Sequence, residues 1–303
     1  MNGEDKNYII EHYIERKRFS SVYAEIRSFL QKNADGGCNE HFHWGRFDWM
    51  MAHPGLDVEM LPRIALFRDN SGKCVGVAMF DTDIDEGWYI LHSTSEEGLL
   101  KEMIEYIVEI YSEDIIIKAN GNDAALCMLL ENMGFEKQFK ESVLEMKLPL
   151  KLNYQPPVGF SLTAPAIIPD DYQWRLVIHR GFENEGTFEE PNEELAKAEK
   201  YLEVAEYIKV FAMKEGEYIS HCGIWYDGGE TAYIEPVVTV PEYRGKGLAK
   251  AVVYEAMNRA RIQGAKRAIV LSDQEFYLRI GMTKSSEVIA WVKTPHPRDM
   301  NHG

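Results

Sequence analysis

The sequence contains few cysteines and no long apolar segment. Its four cysteines are scattered and form no C-x-x-C pair, which favours a reduced interior over a disulfide framework. No apolar run approaches the ~18 residues that a membrane span needs, and the stretch MNGEDKNYII lacks the apolar core of a secretion signal. These absences predict a cytoplasmic protein that does not contact a membrane.

Positive charge is scarce as well. Lys and Arg total 33 against 49 Asp and Glu, which gives a formal net charge of −16 at pH 7. A nucleic-acid-binding surface needs clustered Lys and Arg to neutralise phosphates, so that role is disfavoured. The acidic balance is compatible with a cationic substrate, although an acidic solvated surface explains it more simply.

The 303 residues, 45% of them hydrophobic, are enough for about two domains with substantial cores. A proline-rich stretch at residues 149–170 marks a boundary, because proline restricts its own backbone and that of the residue before it. The same order of elements is predicted on both sides: a hairpin, a third strand, a long helix, a further strand and a short helix. We therefore predict two domains, residues 1–150 and residues 151–303.

A constant offset of 147 residues relates the two halves. Gly76 in the first hairpin corresponds to Gly223, and Gly134 after the first short helix corresponds to Gly281. A repeat of this length indicates two copies of one α/β domain, because the repeats of solenoids span roughly 20–50 residues.

The segment VPEYRGKGLAKA at residues 240–251 concentrates glycine and positive charge where a predicted strand passes into a helix. A helix N-terminus leaves about four N–H groups unpaired, and glycine lets an anion approach them. The segment therefore predicts a phosphate-binding turn. It lacks the Ser or Thr that follows Lys in a Walker A loop, and Lys250 stands where the third glycine of G-x-G-x-x-G belongs.

The pattern R-x-x-G-x-A, formed by Arg244, Gly247 and Ala249 after a strand and V-x-P, resembles the coenzyme A pyrophosphate loop of the GCN5-related N-acetyltransferases (GNAT superfamily). The segment FYLRIGM lies at the expected distance downstream. The resemblance implies an α/β protein of two tandem GNAT-fold domains, each a mostly antiparallel mixed sheet flanked by helices, with acetyl-CoA as co-substrate. The residues that it predicts to contact coenzyme A are Val238, Thr239, Val240, Arg244, Gly245, Lys246, Gly247, Leu248 and Ala249.

The resemblance also implies an acid–base pair for acetylating an amine. Glu235, a carboxylate in the apolar strand AYIEPVV, is expected to act as the base, and Tyr277 to protonate the departing sulfur. The backbone N–H of Val238 is the expected donor to the thioester carbonyl. The alternatives are a solvent-facing strand residue for Glu235 and a packed aromatic for Tyr277.

Other features leave alternatives open. The acceptor can be a small amine, an amino sugar antibiotic or a protein N-terminus, and a coenzyme A-binding sensor without activity is the competing class. Cys38, His41 and His43 have ligand-like spacing, but no fourth ligand is evident, so no metal is expected. The sequence does not predict an oligomeric state.

The first half is expected to keep the fold and to lose the acetyl-CoA site. Like charges repel, and a bulky side chain blocks access to backbone amides, so acidic or large residues at the loop exclude a pyrophosphate. The offset of 147 pairs these residues: Glu97 with Arg244, Gly98 with Gly245, Leu100 with Gly247, Trp88 with Glu235, and Leu130 with Tyr277.

Overall fold

The computed structural model describes residues 8–34, 38–110, 114–165, 168–184, 186–188, 190–204 and 206–294. The chain divides into two compact units, Met1–Val143 with Lys284–Gly303 (the first unit) and Leu144–Thr283 (the second unit). This division differs from the predicted domains, because the residues from Lys284 onward group with the first half of the chain.

The first unit is a mixed sheet flanked by helices. Its helices are α1 (Ser21–Lys32), α2 (Trp44–Ala52), α3 (Glu97–Ile110) and α4 (Ala124–Asn132). Its strands are β1 (Ile9–His12), β2 (Ala65–Arg68), β3 (Cys74–Phe80), β4 (Trp88–His92), β5 (Ile115–Asn120), most of β6 (Glu136–Lys147) and, from the end of the chain, most of β12 (Thr283–Lys293).

The last strand explains why the units differ from the predicted halves. Strand β12 pairs antiparallel with β5, from Val288 opposite Asn120 to Lys293 opposite Ile115. Trp291 on this strand is almost fully buried. Hydrogen bonds and burial therefore attach strand β12 to the first unit, and the proline-rich stretch at residues 149–170 carries no signal of this attachment.

The second unit repeats the plan. Its strands follow the order β11-β10-β9-β8-β7. They are β7 (Ser161–Leu162), β8 (Tyr207–Lys214), β9 (Glu217–Trp225), β10 (Thr231–Thr239) and β11 (Arg267–Leu271). The helices are α5 (Asp171–Gly181), α6 (Glu193–Lys200), α7 (Leu248–Gln263) and α8 (Glu275–Arg279).

Both units confirm the predicted fold class. Each sheet is mostly antiparallel and contains a parallel pair, β4 with β5 in the first unit and β10 with β11 in the second. In the second unit, α5 packs on β9 and β10, and α7 packs on β8, β9 and β10. None of the described helices is long and apolar enough to cross a membrane.

Helix α7 illustrates how the sequence determines its own boundaries. Gly264 follows its last residue with φ at 126°, a conformation that L side chains rarely adopt, and its N–H bonds to the carbonyls of Ala260 and Arg261. One stripe of the helix is buried against the sheet. Its apolar members are Leu248, Ala251, Val252, Val253, Ala256, Met257 and Ala260.

The offset of 147 residues is confirmed at the short helices and wrong at the long ones. Each long helix opens with a bond to the carbonyl of the residue that precedes it. In α3 the N–H of Leu100 bonds to the carbonyl of Glu96, and in α7 the N–H of Ala251 bonds to the carbonyl of Gly247, so equivalent residues are 151 apart. Glu96, not Leu100, therefore corresponds to Gly247. The matches of Glu97 with Arg244 and of Gly98 with Gly245 fail for the same reason.

The match of Trp88 with Glu235 is wrong as well. Trp88 opens β4 and pairs in parallel with Ile117 of β5, just as Thr231 at the start of β10 pairs with β11. Strand β4 has five residues, whereas β10 has nine and contains an irregularity. Trp88 therefore corresponds to the beginning of β10, before the position of Glu235.

Candidate active site

The turn between β10 and α7 presents bare backbone. Gly245 and Gly247 have φ of 74° and 84°, and nothing lies within 4 Å of the point where a Cβ would stand at either residue. No side chain of the described residues caps the start of α7. The N–H groups of the first helical turn are therefore not capped by a side chain, an arrangement suited to binding an anion.

The two cations predicted to bind that anion already have partners. Arg244 donates from Nε to the carbonyl of Thr239 at 3.1 Å, from NH2 to the carbonyl of Gly181 at 2.8 Å, and from NH1 to Oε2 of Glu183 at 2.6 Å. Arg244 thus ties the turn to the end of α5. Its ion pair with Glu183 is exposed and of low strength.

Lys246 makes a similar local contact. Its Nζ donates to the carbonyl of Glu242 at 3.0 Å and lies 4.7 Å from the ring centroid of Tyr243. Both contacts lie within the turn. Lys246 therefore adds positive potential beside the open amides without covering them.

Pairing with β9 determines the direction of the backbone N–H groups of β10 near the turn. The N–H of Val240 bonds to the carbonyl of Ile219 at 3.0 Å, and Val238 lies opposite His221 in the same register. Hydrogen-bonded and non-hydrogen-bonded pairs alternate along an antiparallel ladder. The N–H of Val238 is therefore directed at His221, which contradicts its predicted role as donor to a thioester.

The same alternation directs the neighbouring amides away from β9. The N–H groups of Val237 and Thr239 point toward the β11 side of β10. Strand β11 pairs with β10 only from Thr231 to Tyr233, so it leaves β10 before these residues. Among the described residues, Val237 and Thr239 are thus the backbone donors that face the gap between the two strands.

The carboxylate of Glu235 is held at an irregularity of β10. The register with β9 shifts between Ile234 and Val237, and the bond from Glu235 to Pro236 is cis. The hydroxyl of Tyr233 donates to Oε2 of Glu235 at 2.7 Å. The side chain is partly buried and oriented, unlike that of a residue that simply faces solvent.

Tyr277 lies on α8 and is 6% exposed. Its hydroxyl has no hydrogen-bond partner among the described residues. Burial raises the pKa of Tyr277 above its ordinary value, and the charges of Cys222 and Glu235 raise it further. The phenol therefore remains protonated at neutral pH, and it shares an electrostatic environment with Glu235.

An aromatic group on β8 and β9 lies beside Glu235. Tyr207 stacks on Trp225 with ring centroids 4.0 Å apart, and a Cβ at Gly223 would stand 2.5 Å from both the Tyr207 hydroxyl and the Glu235 carbonyl. Only glycine permits this packing. The sequence does not predict this aromatic group, because its members are far apart along the chain.

Two titratable side chains border this aromatic group. Lys209 Nζ lies 3.7 Å from the ring centroid of Trp174, and burial lowers the pKa of Lys209 to about 8. His221 is fully buried, its Nε2 lies 3.4 Å from the Tyr207 hydroxyl, and burial lowers its pKa to about 3. The sequence did not predict that Lys209 and His221 are buried, since strand periodicity alone does not show which face of the sheet is covered.

Comparison with known proteins identifies the second unit. Residues 172–282 match the model of the acetyltransferase (GNAT) family, so this segment is a GNAT domain. No curated protein matches the sequence.

Solved structures of low identity share the fold over 75% to 96% of the chain. A tandem GNAT protein from the clavulanic acid biosynthesis pathway has a TM-score of 0.58 at 12% identity, covering 96% of this chain and 98% of its own. A GCN5-related N-acetyltransferase from Sphaerobacter thermophilus has a TM-score of 0.53 at 15% identity, with 96% of both chains covered. One from Kribbella flavida has a TM-score of 0.52 at 14% identity, covering 75% of this chain and 91% of its own. The chain therefore has a tandem GNAT fold.

Proposed function

We propose that the GNAT domain of residues 172–282 transfers an acetyl group from acetyl-CoA to a primary amine of a small-molecule acceptor. The observation that carries the proposal is the open glycine turn at the end of β10, which lies on the same strand as an oriented carboxylate, Glu235. GNAT proteins generally use acetyl-CoA, and the uncapped glycine backbone of this turn supports binding of its pyrophosphate. We also propose that the protein acts in the cytoplasm, without nucleic acid or membrane as a partner.

Binding is proposed to use backbone more than side chains. The amides of Gly245 to Ala249 hold the pyrophosphate at the start of α7, where the helix dipole favours negative charge. Val237 and Thr239 offer N–H groups toward the gap beside β10, where an extended pantetheine arm can add hydrogen bonds as a strand would.

The chemistry requires a base, an oxyanion donor and an acid. Glu235 accepts a proton from the acceptor ammonium, through water, which frees the nitrogen lone pair for attack. The new C–N bond forms while the thioester carbonyl becomes an oxyanion, which the N–H of Val237 or Thr239 stabilises. The C–S bond then breaks, and Tyr277 donates its hydroxyl proton to the sulfur. The nitrogen loses its second proton, which returns through water to Tyr277 and restores the phenol.

The buried Tyr277 suits the acid role because it stays protonated until it meets a developing thiolate. Glu235 and Tyr277 together favour an enzyme over a coenzyme A-binding sensor, since a sensor needs the turn but neither of these groups. The acidic surface of the chain, with a net charge of −16, favours an acceptor that arrives as a cation.

A screen of amine acceptors with acetyl-CoA tests the proposal. Small amines, amino sugars and peptides are incubated with the full chain, free thiol release is followed, and the acetylated product is identified by mass. We expect thiol release that depends on the amine and on Tyr277. Binding of acetyl-CoA without amine-dependent thiol release from any class would favour the sensor.

A further inference from the structure

The first unit contains a cluster of three side chains that the proposed acetyl transfer does not use. Cys38 Sγ, a ring nitrogen of His92 and a carboxylate oxygen of Asp123 all lie within 4.8 Å of one another. His92 Nε2 is 2.6 Å from Asp123 Oδ2, and both side chains are 3% exposed. Thiol, imidazole and carboxylate are the three donor types that zinc takes in proteins.

Two hydrogen bonds outside the cluster hold the thiol segment against strand β4. Asn39 donates from Nδ2 to the carbonyl of His92 at 2.8 Å, and its Oδ1 accepts from the N–H of His92 at 3.1 Å. The side-chain amide of Asn39 thus makes the two hydrogen bonds to the backbone of His92 that a neighbouring strand would make. This contact places Cys38, the residue before it, beside the imidazole.

The carboxylate is fixed from another direction. Asp123 caps α4, since its Oδ1 accepts from the N–H of Leu126 at 3.1 Å, while its second oxygen is directed at His92. Each of the three donors therefore stands on a different element: the segment before α2, the end of β4 and the start of α4. The geometry that brings them together is built by protein contacts alone.

A fourth buried polar side chain lies on the same segment. His41 is 3% exposed, and neither of its ring nitrogens has a hydrogen-bond partner among the described residues. Buried polar groups without partners are rare and costly. His43, by contrast, is occupied: its Nδ1 accepts from the N–H of Gly45 at 3.0 Å and caps α2. The spacing Cys38-His41-His43 is therefore not the ligand set.

We propose that Cys38, His92 and Asp123 bind one zinc ion in the first unit. Zinc bonds of about 2.0–2.3 Å in a tetrahedron place ligand atoms roughly 3.3–3.6 Å apart, so the His92 and Asp123 atoms separate by less than about 1 Å. The ion replaces the thiol proton, which passes to solvent. It also displaces the proton that lies between His92 Nε2 and Asp123 Oδ2, and that proton passes through solvent to Nδ1, so His92 stays neutral. Water, or His41 after rotation of its side chain, completes the four ligands.

The role that follows is structural. The ion would join the segment that begins at Cys38 to the sheet and to α4, three parts of the first unit that are distant in sequence. Three ligands from separate elements rigidify a unit because the unfolded chain cannot present them together. This site is independent of the acetyl transfer proposed for the second unit.

Cobalt titration of the full chain tests the site. The protein is treated with chelator, and Co²⁺ is added while absorption is recorded, since a bound cysteine thiolate gives a charge-transfer band. We expect the band to saturate near one ion per chain and to be lost when Zn²⁺ is added in equal amount. Cys38→Ser should abolish it, and His92→Gln should weaken binding at least tenfold. Cys74→Ser, which changes another half-buried thiol of the first unit, should leave it intact.

If a variant fails to fold, alkylation of the unmodified protein tests whether Cys38 binds zinc. Thiols are labelled with iodoacetamide with and without Zn²⁺, and each cysteine is quantified by mass spectrometry. Slower labelling of Cys38 but not of Cys74 in the presence of zinc supports the site. Equal labelling of Cys38 under both conditions, absence of the cobalt band in folded protein, or a band that persists in folded Cys38→Ser would each overturn it.

Discussion

Leu130 and Tyr277 occupy equivalent positions in the two units. The N–H of Phe135 bonds to the carbonyl of Leu130 at 3.0 Å, and the N–H of Met282 bonds to that of Tyr277, also at 3.0 Å. Each pair closes a short helix that ends at a glycine with positive φ. The backbone is thus repeated, while the phenol of one unit is replaced by a fully buried aliphatic side chain in the other.

The first prediction is that one chain binds one acetyl-CoA. Glu96 stands in the first unit where Gly247 stands in the second, so the first unit carries a side chain with a carboxylate where the second has bare backbone. The hydroxyl of Tyr8 donates to this carboxylate at 2.8 Å, which adds to the blockage. Isothermal titration calorimetry should give a stoichiometry near one. A value near two would mean that the first unit retains a working site.

The second prediction concerns the glycine turn. Gly247→Glu should abolish acetyl-CoA binding, because it places a carboxylate against the site of the pyrophosphate. Gly134→Glu is the matched control: the φ of Gly134 is 83°, close to the 84° of Gly247, and a Cβ at Gly134 would also meet open space. Each variant should lose about 1–2 kcal/mol of stability to the left-handed conformation. Only the first should lose calorimetric binding, and similar affinities for both would refute the assignment of the turn.

The third prediction separates chemistry from binding. Glu235→Gln and Tyr277→Phe should each lower kcat by about 10²–10⁴-fold, since a positioned acid or base contributes that much. The Kd of acetyl-CoA should change little. Tyr226→Phe, which removes a hydroxyl bonded to the carbonyl of Gly229, is the control and should retain activity. Near-normal kcat in Glu235→Gln and Tyr277→Phe would assign both side chains to packing.

The fold was predictable because its signals are local. Hydrophobic periodicity, the proline-rich boundary and the glycine that follows each short helix depend on neighbouring residues, and the predicted mixed sheets are confirmed. The turn at Gly245 and Gly247 was predictable for the same reason, since only glycine suits both its φ and its open backbone.

Other features depend on pairings that a single sequence does not encode. The attachment of β12 to the first unit arises from long-range strand pairing. The four-residue difference at the start of α3 arises because the connection after β4 has four residues, whereas that after β10 has eight. The direction of the Val238 N–H follows from the register between β10 and β9. A shift of that register by one residue would turn each N–H of β10 to the opposite side of the strand. The cluster of Cys38 with His92 and Asp123 spans three distant segments.

The fourth prediction uses that register. In the free protein the N–H groups of Val238 and Val240 should exchange slowly with deuterium, because both are directed at carbonyls of β9. Those of Val237 and Thr239 should exchange faster, and coenzyme A should slow them. Amide exchange resolved by NMR measures all four. Fast exchange of Val238 that coenzyme A suppresses would restore Val238 as the donor and refute the alternation.

The last prediction concerns acid stability. Burial lowers the pKa of His221 to about 3, whereas the unfolded chain binds that proton near its ordinary value of 6.5. Between these two values the unfolded state holds more protons, so stability falls as the pH falls. The contribution of His221 approaches about 1.4 kcal/mol per pH unit once the unfolded histidine is protonated, and amounts to about 1.6 kcal/mol from pH 6.5 to 5. Urea unfolding at pH 6.5 and at pH 5 measures the free energy of unfolding at each pH. The loss between the two should be smaller by that amount in His221→Asn than in the unmodified protein. His179→Asn, at a partly exposed position of α5, should keep the full loss, and equal losses in both variants would mean that His221 is protonated in the folded protein.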